Sequence, residues 1–363
     1  MLALFRRFPG LASKLDYVSL GRFPTAVHLL PNVCRETGHR HLYIKRDDQS
    51  GIDYGGNKVR KLEFLLGRAK ASRTRCVLTG GFAGSNHALA TAVYAHRLGI
   101  DCVSMLLPQP NALYVRRNLL HAHACKAELH QFPTMKRLMW GILRQYAGRV
   151  LGSGRVPMII PPGGSSALGT VGYVNAALEL QEQIAAGMLP VPNRIYVAWG
   201  TGGTVVGLLV GLKCAGIEST VVGVRVTDSQ YANPRKLDAL VCKTSKLLRS
   251  AEPSFPEVRL ADCRFEARHE AFGGGYARFT QPGLAAVELL HRAESIDLDG
   301  TYTGKASSLL LADLQRSERS GEVVLFWNTY NSEPPKAPLA TADYRKLPKE
   351  FHHYFETPTQ DVA

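Results

Sequence analysis

The sequence has no long apolar run and no cysteine or histidine pattern typical of metal sites. None of its apolar stretches approaches the ~20 residues needed to cross a bilayer, so we predict no membrane partner. The seven cysteines are scattered, with no CxxC pair and no Cys/His pair at zinc spacing. A disulfide scaffold and a structural zinc site are therefore disfavoured, and we predict no metal and a cytoplasmic location.

A nucleic-acid-binding motif is also missing, although the formal net charge is +14. The 44 lysine and arginine residues are spread along all 363 residues instead of forming one basic stripe, and no aromatic-rich RNA signature accompanies them. We therefore expect no nucleic-acid partner. A basic balance also suits an anionic cofactor and a carboxylate substrate.

The chain does contain a repeated alternation of apolar strands and amphipathic helices. Strands are predicted at 41–48, 75–81, 100–107, 157–164, 194–200, 220–228 and 322–329. Helices are predicted at 58–72, 85–98 and 112–123. Apolar strands that alternate with helices are typical of parallel sheets covered on both faces, so the expected fold class is α/β. Residues 229–262 interrupt this pattern and look like an expanded, basic, irregular segment.

The most informative stretch is YGGNKVRKLE, residues 54–63. Its paired glycines allow a turn, Asn57 suits a helix N-cap, and Lys58 would then lie in the first helical turn. That position faces the positive end of the helix dipole, where a solvated lysine gains nothing. The amine is better explained if it lies near a bound anion or forms an imine, as in enzymes that carry pyridoxal phosphate. Taken alone, the stretch is also compatible with a basic surface loop.

Three glycine-rich turns each follow a predicted strand and precede a helix, at 80–92, 162–173 and 199–211. In the first turn, Ser85 and Asn86 can cap the helix, and the helix-start amides with the Ser85 hydroxyl can bind a substrate carboxylate. The second turn is compatible with a simple turn or with a ligand contact. The third contains Gly200, Thr201, Gly202, Gly203 and Thr204, where converging backbone amides and a helix N-terminus favour a phosphate dianion.

A dinucleotide-binding loop would use the same physics. A GxGxxG frame that starts at Gly200 places Val205 where the third glycine belongs, and Asp228 lies beyond the usual offset of about 20 residues. No P-loop GxxxxGK[ST] occurs in the sequence. These observations favour a phosphate monoester over NAD.

Six motifs occur in one order along the chain: YIKRDD, GGNKVRKLE, GSNHALA, GGSSALG, WGTGGT and TYTGKA. With them, the chain from about 20–27 to 325–329 resembles the D-cysteine desulfhydrase and 1-aminocyclopropane-1-carboxylate deaminase branch of the fold-type II pyridoxal-phosphate enzymes. The resemblance implies a tryptophan synthase β-like fold, in which the cofactor lies in the crevice between two open parallel-sheet domains. It also implies a homodimer.

Domain boundaries and residue roles follow from the same resemblance. We expect a large domain at 1–61 and 166–345, a small inserted domain at 62–165 and a C-terminal tail at 346–363. The residues expected to contact pyridoxal 5'-phosphate are Lys58, Asn86, Gly200, Thr201, Gly202, Gly203, Thr204 and Thr329. The residues expected to contact the substrate are Ser85, Asn86, His87 and Tyr302.

Each assigned role matches one position of the family pattern. Lys58 matches the imine-forming lysine, Asn86 the asparagine at the cofactor's 3-oxygen, and Thr329 the threonine near the pyridine nitrogen. Lys58, Tyr302 and Ser85 are expected to act in catalysis, with Lys58 or Tyr302 moving the α-proton.

The chain departs from the family pattern after the last strand, before Ser85 and in the expanded segment 229–262. The usual HTGG after the last strand is NTYN, so Tyr330 and Asn331 replace two glycines and remove their freedom to adopt positive φ. Gly84 stands before the serine, where glutamine is common. Thr303 follows the active-site tyrosine, as in the desulfhydrases, whereas the deaminases have a glutamate there that keeps the pyridine nitrogen protonated.

The expected activity is that of a pyridoxal-phosphate-dependent lyase. Deamination of a small amino acid by β-elimination is favoured, with D-cysteine converted to pyruvate, sulfide and ammonia. The alternatives are 1-aminocyclopropane-1-carboxylate deamination, elimination on another β-substituted amino acid, and a carboxylate-binding homologue without turnover.

Overall fold

The computed structural model describes residues 1–316, 321–333 and 343–360, and the chain divides into two compact units. The first unit comprises Met1–Leu15, Gly21–Lys61 and Ser165–Glu333, and the second comprises Asp16–Leu20, Leu62–Gly164 and Pro334–Ala363.

This division differs from the expected domains at the C-terminus. Residues 343–345 belong to the second unit and not to the large domain, and the described residues of the expected tail, 346–360, also belong to the second unit. The reason is that Asn111 and Arg116 of the second unit donate hydrogen bonds to the carbonyl oxygen of Tyr354, at 2.8 and 2.7 Å.

The strands and helices alternate along the chain. The strands are β1 Val27–Leu29, β2 Leu42–Arg46, β3 Cys76–Phe82, β4 Asp101–Leu107, β5 Glu128–Gln131, β6 Met158–Ile160, β7 Arg194–Trp199, β8 Thr220–Arg225, β9 Phe265–Arg268 and β10 Val324–Asn328. The helices are α1 Ala3–Arg7, α2 Pro31–Thr37, α3 Lys58–Ala71, α4 Asn86–Arg97, α5 Leu113–Ala124, α6 Met135–Ser153, α7 Ala167–Ala185, α8 Gly203–Ala215, α9 Pro234–Ala251, α10 Gln281–Glu294, α11 Thr303–Leu314 and α12 His353–Glu356.

The first unit contains a six-stranded sheet in the order β1-β2-β10-β7-β8-β9. All neighbouring strands are parallel except β1, which pairs antiparallel with β2 at the sheet edge. Ile44, Val222 and Phe326 from three of these strands are buried in one hydrophobic cluster. The parallel sheet expected from the apolar strands is therefore present, with one antiparallel edge strand that was not predicted.

The second unit contains a four-stranded parallel sheet in the order β5-β4-β3-β6. Leu78, Val103 and Met105 from its two central strands are buried, and Leu138 of α6 packs against them. Strand β5 and helix α6 were not predicted. Among the described residues, no helix is long and apolar enough to span a bilayer.

The prediction of an irregular segment at 229–262 is wrong, because most of this segment is helix α9. Asn233 caps the helix by accepting a hydrogen bond from the backbone N–H of Lys236 at 3.0 Å, and Pro234 occupies the first helical position. Leu237 and Leu248 are buried on the inner face. The basic residues of α9 lie on the solvated face of an amphipathic helix.

Candidate active site

Lys58 is the first residue of α3 and follows a tight glycine turn. Gly56 has a φ of +87°, and a Cβ atom there would lie only 2.8 Å from the carbonyl oxygen of Tyr330. Its N–H donates to the carbonyl oxygen of Asp47 at 3.0 Å. Both the backbone conformation and the close approach therefore require glycine at position 56.

The same turn is held by the segment that follows β10. The N–H of Gly55 donates to Oδ1 of Asn331 at 2.7 Å, and the N–H of Asn57 donates to the carbonyl oxygen of Thr329 at 3.2 Å. Neither Tyr330 nor Asn331 has a positive φ. Tyr330 and Asn331 therefore adopt their backbone conformations without strain, although they replace two glycines. The Asn331 side chain also supplies a hydrogen-bond acceptor that glycine lacks.

The side chain of Lys58 is half-buried, and burial lowers the pKa of its amine to about 8. The carboxylate of Asp299 opposes this shift. No acceptor among residues 1–316, 321–333 and 343–360 lies within hydrogen-bond distance of its Nζ. A lysine in this setting has a substantial unprotonated fraction near neutral pH, which is the form that reacts as a nucleophile or base.

A buried charge cluster lies next to the lysine turn. Arg60 contacts Oδ1 of Asp47 at 2.7 Å and Oε2 of Glu179 at 2.9 Å, and Lys45 contacts Oε1 of Glu179 at 2.6 Å. Burial opposes ionisation of Asp47, but the charge of Arg60 prevails and lowers its pKa to about 2. Because Arg60 follows Lys58 by two residues, this cluster fixes the start of α3.

The loop before α8 presents several hydrogen-bond donors close together. Gly202 has a φ of +92°, and the N–H of Gly203 donates to Oγ of Ser165 at 3.1 Å. The hydroxyls of Ser165 and Thr201 are 2.7 Å apart. Asn57 donates through Nδ2 to Oγ1 of Thr204 at 3.0 Å, which joins this loop to the lysine turn.

Lys61 completes the candidate phosphate-binding cluster, which we define as Lys61, Ser165 and residues 200–204. A Cβ atom on Gly203 would lie 2.9 Å from Nζ of Lys61, so the amine approaches the backbone at the start of α8. Burial lowers the pKa of Lys61 well below its ordinary value, and the nearby charge of Lys58 adds to the shift. Amides, hydroxyls and a lysine at a helix N-terminus are a donor set that fits a phosphate dianion.

Sequence reasoning missed Lys61 and Ser165 as members of this cluster. A detectable signal was available for Lys61, because residues three apart on a helix share one face and Lys58 was already assigned. Ser165 lies in the glycine-rich turn at 162–173, whose sequence is compatible with a simple turn or with a ligand contact.

Tyr302 directly precedes α11, and its hydroxyl is hydrogen-bonded to the hydroxyl of Tyr276. The two rings meet edge to face, with centroids 6.0 Å apart. Burial raises the pKa of Tyr276 well above its ordinary value, and the hydrogen bond to Tyr302 adds to this. Gly200 in the loop before α8 is also close, since a Cβ there would lie 3.8 Å from the Tyr302 ring.

Asp299 organises the start of α11. Its Oδ1 accepts hydrogen bonds from the N–H of Tyr302 at 3.2 Å and from the N–H and hydroxyl of Thr303 at 2.8 and 2.7 Å. Burial raises the pKa of its carboxyl group, although these hydrogen bonds oppose the shift. Neither Asp299 nor Tyr276 was predicted as a site residue. The fold is needed to bring Tyr276 to Tyr302, whereas Asp299 lies three residues before Tyr302 and contacts it within the same turn.

In the second unit, the three predicted residues occupy the start of α4. Ser85 is the N-cap, and its Oγ accepts a hydrogen bond from the N–H of Ala88 at 3.2 Å, which confirms the predicted capping role. Asn86 is the first helical residue, and His87 is buried next to it. Among the described residues, no group of His, Cys, Asp or Glu is placed to hold a metal ion.

The fold and the first unit's donor cluster define the class of fold-type II pyridoxal-phosphate enzymes. The solved structure of the processed form of threonine deaminase isoform 2 from Solanum lycopersicum has the same fold, with a TM-score of 0.61, 14% identity and coverage of 97% of this chain and 87% of that one. A solved structure described as an ACC deaminase homologue has a TM-score of 0.77 and 33% identity, covering 92% of this chain and 95% of that chain.

The chain belongs to the family described as "Pyridoxal-phosphate dependent enzyme", whose family model matches residues 18–329. A relative from Pyrococcus abyssi, provisionally named 1-aminocyclopropane-1-carboxylate deaminase, is 34% identical over 320 residues, covering 88% of this chain and 93% of that relative. The resemblance drawn from the six motifs and the α/β fold class are confirmed. The cofactor is pyridoxal 5'-phosphate.

Proposed function

We propose that the protein is a carbon–sulfur lyase that converts D-cysteine and water to pyruvate, sulfide and ammonia. The observation that carries this proposal is Thr303, which stands where the deaminases of this branch have a glutamate. Its hydroxyl donates to Asp299 and its Oγ1 accepts from the N–H of Asp299 at 2.9 Å, so the group is neutral, buried and already engaged. A hydroxyl cannot supply the negative charge that would raise a pyridine pKa.

The chemistry depends on proton movement at Cα of the substrate. When bound, pyridoxal phosphate supplies an electron sink that stabilises negative charge on that carbon. In the proposal, the Lys58 amine accepts the α-proton, because burial keeps a fraction of it unprotonated near neutral pH. Tyr302 shares a hydrogen bond with Tyr276 and can hold or return a proton there. The thiolate then leaves from Cβ.

Ser85, Asn86 and His87 are proposed to recognise the substrate, with Asn86 also at the cofactor's 3-oxygen. Ser85 supports this role because its hydroxyl caps the N-terminus of α4, where helix-end N–H groups and the dipole favour a carboxylate. The phosphate is assigned to the phosphate-binding cluster, and Thr329 to the pyridine nitrogen. A homodimer and a cytoplasmic location are part of the proposal, and the seven free cysteines support a reducing compartment.

Deamination of 1-aminocyclopropane-1-carboxylate is the second candidate, and the name of the Pyrococcus abyssi relative favours it. A cyclopropane ring has no good leaving group, so its opening needs a stronger electron sink than the elimination of a thiolate does. Steady-state rates on both substrates, with keto acid as the product measured, decide between the two. We expect turnover of D-cysteine and little ring opening.

A matched variant sharpens this comparison. Thr303→Glu introduces the missing carboxylate, whereas Thr303→Val removes the hydroxyl without adding charge. Efficient ring opening by the wild-type protein would refute the argument from Thr303. Keto acid formation from neither substrate, nor from other β-substituted amino acids, would favour a carboxylate-binding homologue without turnover.

A further inference from the structure

The turn before α4 contains Gly84, whose two backbone groups are both held by side chains. Its N–H donates to Oε1 of Gln109 at 2.8 Å, and its carbonyl oxygen accepts from Nδ2 of Asn118 at 2.9 Å. A Cβ atom on Gly84 would lie 2.7 Å from the Tyr114 ring and 2.8 Å from a methyl of Val115. The close approach of α5 therefore explains why this chain has glycine where the family commonly has glutamine.

Asn118 also reaches the side chain of Asn86. Asn118 is a buried residue of α5, and its Nδ2 donates to Oδ1 of Asn86 at 2.9 Å. The two ends of an amide group are hard to tell apart by shape, but a backbone carbonyl can only accept. The carbonyl of Gly84 therefore fixes Nδ2 as the end of Asn118 that faces this turn. A donor there requires the oxygen end of Asn86 to face Asn118.

From this chain of hydrogen bonds we propose that Asn118 is a positioning residue that sets the orientation of the Asn86 carboxamide. It holds Oδ1 of Asn86 on the α5 side, so that Nδ2 is the end offered to the cofactor. This inference rests on the proposed function, in which Asn86 contacts the 3-oxygen. That oxygen is an acceptor, so the nitrogen end of the amide attracts it and the oxygen end would repel it.

The supporting contacts keep this turn in one arrangement. Gln109 accepts from Gly84 and donates through Nε2 to the hydroxyl of Tyr114 at 2.7 Å, so both ends of its amide are also assigned. The N–H of Gln109 donates to the hydroxyl of Tyr354 at 3.1 Å. Rotating the Asn86 carboxamide would therefore disrupt the side-chain hydrogen bonds that depend on the N–H and the carbonyl oxygen of Gly84.

The test measures equilibrium affinity of the cofactor-free protein for two probes, pyridoxal 5'-phosphate and its 3-deoxy analogue. Asn118→Asp keeps the shape but replaces the donor with an acceptor. It is expected to bind pyridoxal phosphate about 10- to 100-fold more weakly, the range for losing one hydrogen bond to a charged acceptor. Its affinity for the 3-deoxy analogue should change by less than about threefold, since that probe lacks the oxygen in question.

Two further variants make the outcome decisive. Asn86→Ala should likewise lose more affinity for pyridoxal phosphate than for the 3-deoxy analogue. Asn32→Asp is the matched control, because Asn32 also donates through Nδ2 to a backbone carbonyl, that of Ala293 at 2.7 Å, which takes no part in this turn, and it should leave both affinities unchanged. If Asn118→Asp does not fold, as judged by thermal unfolding, Asn118→Ala takes its place with the same expected discrimination.

The two possible failures can be distinguished. If Asn86→Ala discriminates between the probes but the Asn118 variant weakens both equally, Asn118 is merely structural and the inference is overturned while the proposed site stands. If Asn86→Ala itself shows no discrimination, the assignment of Asn86 to the 3-oxygen fails and the inference fails with it.

Discussion

Replacing Gly203 with valine tests the phosphate-binding cluster most directly. A Cβ atom at this position would lie 2.7 Å from Oγ of Ser165, 2.9 Å from Nζ of Lys61 and 3.2 Å from Cα of Ser165. The first two separations are shorter than any tolerable carbon contact, and the γ-carbons of valine extend further. Ser165 cannot rotate away without losing its hydrogen bonds to Thr201 and to the Gly203 N–H.

The expected loss follows from the groups displaced. In the proposed site, moving the Ser165 hydroxyl and the Lys61 amine away from the phosphate removes two hydrogen bonds to a charged acceptor, each contributing about 1.5–3 kcal/mol. The variant should therefore bind pyridoxal phosphate about 3–6 kcal/mol more weakly, which corresponds to a Kd increase of roughly 10²- to 10⁴-fold. Equilibrium titration of the cofactor-free protein measures this change.

Two controls accompany the Gly203→Val measurement. Gly148→Val makes the same chemical change in α6 at a position where no atom lies within 4 Å of the added Cβ, and it should leave cofactor affinity unchanged. Pyridoxal without its phosphate should bind the wild type and Gly203→Val with similar affinity. Unchanged affinity for pyridoxal phosphate, or an equal loss for pyridoxal, would show that the phosphate is bound elsewhere.

The remaining predictions concern the lysine turn. In the cofactor-free protein, acylation of Lys58 should rise with a midpoint near pH 8, because burial disfavours the ammonium form, and Asp299→Asn should move that midpoint lower by removing a carboxylate that raises the pKa. Peptide mass spectrometry measures this, and a midpoint in the ordinary lysine range would contradict it. Arg60→Met should lower the free energy of unfolding by about 3–5 kcal/mol, since it leaves the buried charges of Asp47 and Glu179 incompletely paired. Chemical denaturation tests this against Arg249→Met, which breaks an exposed pair and should cost less than about 1 kcal/mol; similar losses would contradict the reasoning.

Much of the local structure was predictable because it depends on residues close together in sequence. The strand expected at 41–48 is Leu42–Arg46, and the helix expected at 58–72 is Lys58–Ala71. Ser85 caps its helix as its side chain predicts. These features arise from apolar patterning, turn glycines and caps, all of which act within a few residues. Helix α9 was not predicted, although Asn233 and Pro234 provide a start signal for it.

Tertiary structure alone decided which distant groups meet. Asn331 accepts from Gly55 across 276 positions of sequence, and Tyr276 meets Tyr302 across 26. The antiparallel pairing of β1 was also undetermined, because strand direction depends on where the chain re-enters the sheet. By itself, the sequence determined the α/β class, the reactive lysine candidate and the glycine-rich loops. The hydrogen bonds and pKa shifts around these features could not be predicted from the sequence. They depend on burial and on partners that are distant along the chain.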